Sequence, residues 1–147
     1  MGVRDFLRCA AALLTGLWVT LGAAIPIGYV LLRGLRSTLG GGLGPELMER
    51  PGVVLVLLAG YAVAAAIGGW AAAWVTLKSA RRLTALLSAS HVGSWLLVLA
   101  LGASPFTTSF TLTLAAAAVF GTIAGVTGRV RQVRGRAGAT VEPEGAA

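Results

Sequence analysis

Charge is absent where an enzyme of this size would need it most. Four apolar stretches, Cys9–Leu32, Gly52–Thr76, Leu83–Gly102 and Phe106–Thr127, contain no Asp, Glu, Lys or Arg. Cys9 is the only cysteine, so no intrachain disulfide can form and nothing follows about redox compartment. His91 is the only histidine, and with no acidic side chain in the apolar stretches it cannot complete a metal site of ordinary ligand count. Bis-histidine haem ligation is excluded for the same reason. Ser88 and His91 lie three residues apart on one helix, poorly placed for nucleophilic attack, and no loop offers an oxyanion hole. The expectation is a protein that is not an enzyme and carries no metal or cofactor.

Apolar surface is what the chain has in quantity. Hydrophobic residues make up 56% of its 147 positions, above the roughly 45–50% typical of soluble domains, and mean hydropathy is +0.84. Each stretch has the twenty or so residues needed to cross about 30 Å of hydrocarbon. The fold class expected is an all-α integral membrane four-helix bundle built as two helical hairpins. Its helices run over about 9–32, 52–76, 83–102 and 106–127, inside a single domain of residues 1–136. The tail 137–147, with Glu142-Pro143-Glu144 among small residues, reads as disordered. The first apolar stretch continues through Ile25-Pro26-Ile27 to Leu32, too long for a signal h-region of about 7–15 residues, and reads as a retained helix.

Twelve basic residues against five acidic give a net charge of +7. Because they cluster at helix ends, the partner they imply is the lipid bilayer and not nucleic acid. Arg4, Arg8, Lys78, Arg81, Arg82, Arg129, Arg131, Arg134 and Arg136 fall on one side of the alternating spans, and Arg33, Arg36 and Arg50 on the other. The positive-inside rule then puts both termini in the cytoplasm. Lys78, Arg81, Arg82, Arg129, Arg131, Arg134 and Arg136 become the expected contacts to cytoplasmic lipid headgroups. Eleven arginines to one lysine, no asparagine, and heavy Ala and Gly usage point to a GC-rich bacterial genome, hence a bacterial inner membrane.

Between membrane helices, close backbone approach replaces the hydrophobic effect as the source of association. Small residues recur every fourth position in all four stretches: Ala12, Gly16, Thr20, Ala24 and Gly28; Gly60, Ala64, Gly68 and Ala72; Ala85, Ala89 and Gly93; Thr113, Ala117, Gly121 and Gly125. The seven glycines Gly16, Gly28, Gly60, Gly68, Gly93, Gly121 and Gly125 are therefore the expected packing positions. The runs Ala64–Gly68 and Ala116–Gly121, each leading to Val-Thr and a basic cluster, align with one gap as a hint of hairpin duplication. Pro26 removes one backbone hydrogen bond and is expected to kink the first helix. Gly34–Pro51 reads as a flexible glycine turn followed by a short helical turn starting at Pro45.

One polar cluster interrupts the apolar spans. Ser88, His91 and Ser94 recur every third residue and share one face of the third helix. An ionisable group inside a membrane is a candidate functional site; the competing structural role is a neutral His91 donating to Thr20, to Thr113 or to a backbone carbonyl. In size and helix count the chain resembles the small multidrug transporters, but the carboxylate those proteins carry in their first helix has no counterpart in Cys9–Leu32. Thr107-Thr108-Ser109-Phe110 is similar to an element of the four-helix fluoride channels, yet this chain has none of their asparagine. The function expected is a structural or accessory subunit of a membrane assembly. The alternative is a small transporter or channel using the Ser88/His91/Ser94 face. The expected protein partner is a second copy or another membrane protein.

Overall fold

An apolar run free of charge can satisfy its peptide groups only within itself, and each of the four does so as a helix. The computed structural model describes residues 3–39, 50–76, 80–102 and 107–139. These form α1 (Val3–Leu39), α2 (Pro51–Val75), α3 (Ala80–Ala100) and α4 (Thr108–Ala139), with no strand among the described residues. All four are long and apolar enough to cross a membrane.

Local chemistry marks the helix ends. Pro51 opens α2 behind an extended Arg50, where its missing N–H costs nothing. Gly102, at φ +62°, turns the chain after α3 and donates to the Leu99 carbonyl at 3.0 Å. Thr107 caps α4, its hydroxyl accepting from the Phe110 N–H at 3.4 Å.

Two helices overrun the spans expected from hydropathy. α1 has 37 residues, about 55 Å at 1.5 Å per residue, and carries Arg4, Asp5 and Arg8 at one end and Arg33 and Arg36 at the other. It continues through Pro26 as one element. α4 runs past Thr127 to Ala139 and takes in residues 137–139 of the expected tail. Charge ends a hydrophobic run but not a helix, since Arg is a good helix former in water. The glycine turn and the helical turn expected at Pro45 lie outside the described residues, as do residues 140–147.

α2 is the central element, packed most extensively on α4 and on α1, while α3 lies chiefly against α4. α1 and α2 are antiparallel: Gly16 meets Gly68 and Ala72, and Gly60 meets Ile27 and Leu31. α2 and α4 run parallel, with Gly121 at Ala62 and Gly125 at Ala66 and Trp70. The core is made of little else but small side chains. Ala12, Ala64, Ala65, Ala72, Ala73 and Ala118 are fully buried, and Leu83 and Leu87 are the largest enclosed residues.

Candidate functional site

The glycine seams are tight enough to be read as backbone contacts. A Cβ added at Gly68 would fall on the Thr20 hydroxyl and the Gly16 carbonyl; at Gly121, on the Ala62 carbonyl; at Gly125, on the Ala66 carbonyl. Gly69, absent from the expected set, belongs with them, since its Cβ would lie 2.8 Å from the Thr122 carbonyl oxygen. Gly16 and Gly60 face side chains, Leu87 with Ala72 and Leu31 with Ile27. Two expected packing glycines are corrected. Added Cβ atoms at Gly28 and Gly93 meet nothing within 4 Å. On α3 the whole expected stripe of Ala85, Ala89 and Gly93 is exposed, and the helix packs instead through Leu83, Leu87 and His91.

His91 is buried, 4% exposed, with Nδ1 2.8 Å from the Leu87 carbonyl oxygen of its own helix. A carbonyl only accepts, so Nδ1 carries the hydrogen of this bond and Nε2 is the ring nitrogen left over. Among the described residues that Nε2 has no hydrogen-bond partner although it is buried, and the same holds for Ser88 Oγ and Thr122 Oγ1. Neither threonine expected to face His91 takes its proton: Thr20 donates to the Gly16 carbonyl at 2.8 Å and Thr113 to the Ser109 carbonyl at 2.8 Å. Such back-bonding satisfies a hydroxyl within one helix. Ser94 is exposed and donates to the Ser90 carbonyl at 2.8 Å. The three-residue face is therefore split between a buried histidine and an outward serine.

Register places His91 within a wider polar layer. Gly16 meets Leu87, and Val126 clusters with Leu83 and Leu87. One helical turn further from that end come Thr20 on α1, His91 on α3 and Thr122 on α4, with Gly68 and Gly69 alongside on α2. Among the described residues, no three His, Cys, Asp or Glu side chains come together.

The basic residues divide in two. Arg81, Arg82, Arg131, Arg134 and Arg136 are exposed, and Lys78 lies outside the described residues. Arg129 is different. Only 9% exposed, it stacks on the α2 indoles, its guanidinium carbon 4.2 Å from the centre of Trp74 and 5.7 Å from that of Trp70. Nη1 donates to Gln132 Oε1 at 2.8 Å, and Nε is buried without a partner among the described residues. Unlike the other described basic residues of this end, Arg129 is thus wedged between helices. Removing a guanidinium from water without an ion partner costs several kcal/mol, and each cation–π contact returns only about 0.5–2 kcal/mol. The cluster was not legible from spacing, because alternating spans make α2 and α4 parallel without saying which of their faces meet. The one available signal was two tryptophans four residues apart, on one helix face.

At the opposite end, Trp95 Nε1 donates to the Tyr61 hydroxyl at 3.2 Å, with the rings edge to face. The pair lines an apolar cavity of about 190 Å³, bounded also by Gly28, Gly60 and Phe110. No family model, curated protein or solved structure gives a significant match to this chain.

Proposed function

We propose that this chain is a small multi-pass protein of a bacterial inner membrane, with both termini cytoplasmic, serving without catalysis as a structural or accessory subunit. One observation carries the reading: the interior is spent on helix contact. Gly121 and Gly125 sit on the carbonyls of Ala62 and Ala66, and alanines fill the layers between. Packing of that density leaves helix faces as the working surface. Those faces are large and apolar, with Trp18, Ile25, Tyr29 and Phe120 each more than 60% exposed. The orientation rests on the count of basic residues at each end of the spans. A transport path along Ser88, His91 and Ser94 has weaker support, since His91 is enclosed and Ser94 faces outward.

Isolation from native membranes in lipid-preserving particles, followed by mass spectrometry, tests this. The expected result is a stoichiometric membrane partner that is lost in Gly121→Leu. A homo-oligomer without partner, supporting flux that His91→Ala abolishes, would replace the accessory role with transport.

A further inference from the structure

We propose that Arg129, framed by Trp70 and Trp74, is a stoichiometric site for the phosphate of an anionic phospholipid at the rim of the α2–α4 seam. The inference rests on the membrane-spanning reading above. Three observations carry it. The first is an imbalance of donors. Around the guanidinium stand two indoles that make ring contacts but no hydrogen bond within the described protein. Gln132 Oε1 is the single acceptor on Arg129, Nε is buried without one, and no carboxylate pairs with it among the described residues. A cluster of donors with a fixed positive charge is complementary to an anion with several acceptor oxygens.

The second is depth. Trp74 precedes the last residue of α2, and Arg129 lies two residues beyond the apolar stretch of α4 that ends at Thr127. That is the level at which tryptophans settle and headgroup phosphates lie. The third is immobilisation. Arg131, Arg134 and Arg136 are exposed and offer only diffuse attraction, whereas Arg129 is clamped against two rings in one orientation. A planar fork held in place loses little freedom when it meets a phosphate.

The test uses the full chain, purified and delipidated, with native mass spectrometry in mixed micelles of phosphatidylglycerol and excess phosphatidylcholine. Wild type is expected to retain one phosphatidylglycerol per chain. Arg129→Met should lose that preference by at least about tenfold, or about 1.4 kcal/mol. Arg129→Lys, which keeps the charge without the stacked fork, should fall between, and Arg36→Met, an exposed arginine at the other end of the spans, should match wild type. Trp74→Leu gives a second reading should Arg129→Met fail to fold, with the same loss expected. Equal retention in wild type and Arg129→Met overturns the proposal, as does wild type without preference for the anionic lipid. Displacement of the lipid by inorganic phosphate would make this a site for the free ion and overturn the lipid assignment. Retention that appears only when Glu142 and Glu144 are both changed to Gln would show that the chain's own carboxylates fill the site. Alkaline carbonate extraction run alongside separates the two readings: release of the protein defeats the membrane reading, whereas retention without lipid preference defeats this one alone.

Discussion

His91 Nε2 is buried in the bundle with no hydrogen-bond partner among the described residues. An unmet buried polar atom costs about 1–3 kcal/mol, and an apolar replacement of similar shape removes that cost along with the group. His91→Leu is accordingly expected to change stability by less than about 1 kcal/mol or to raise it, as read from unfolding in mixed micelles. A loss above about 3 kcal/mol, the scale of breaking a well-satisfied buried network, would show that Nε2 has a partner essential to the fold. The histidine was visible in the sequence as the one ionisable group within a span, and a backbone carbonyl stood among its three expected partners, but the choice among them was not legible. Thr20 and Thr113 were equally available on paper. Each binds its own helix, leaving the imidazole to the Leu87 carbonyl one turn back.

At the scale of the helix, spacing alone did not say which stripe faces a neighbour. Gly68 and Gly93 look alike in sequence, each in a stripe of small residues four positions apart. In the structure a Cβ at Gly68 meets the Thr20 hydroxyl and the Gly16 carbonyl, and one at Gly93 meets open space. Gly68→Ala is expected to destabilise by about 1–3 kcal/mol through overpacking. Gly93→Ala should stabilise by about 0.5–1 kcal/mol, because alanine orders a helix at lower entropic cost. Steric-trapping unfolding of the two variants side by side checks the pair, and equal effects would contradict the seam assignment. Span existence was legible because hydropathy dominates these sequences. Helix ends were not: α1 and α4 keep their hydrogen bonds where charge begins, so α4 carries three exposed arginines beyond the apolar run as a basic helical extension. The α3 stripe failed for a related reason. An Ala/Gly-rich helix has small residues on several faces, and only Leu83, Leu87 and His91 define the buried one.

Taken as a whole, the molecule concentrates its tightest contacts between α2 and its neighbours and leaves one side of α1 unpartnered. Leu14, Trp18, Leu21 and Ile25 are each more than half exposed, with a spacing of 4, 3 and 4 residues read from the sequence. That is the seam period of paired helices, on the longest helix of the described chain. Lipid covers such a face in a protein that works alone; a protein helix covers it in an accessory subunit. The most direct measurement places a photo-cross-linking amino acid at Trp18 or Ile25, and at fully buried Ala72 as an internal control, in cells carrying the native membrane. The accessory role predicts one discrete adduct of a second protein from both outward positions, and from Ala72 only cross-links within the chain. Lipid adducts alone, or adducts only between copies of this chain, would contradict it.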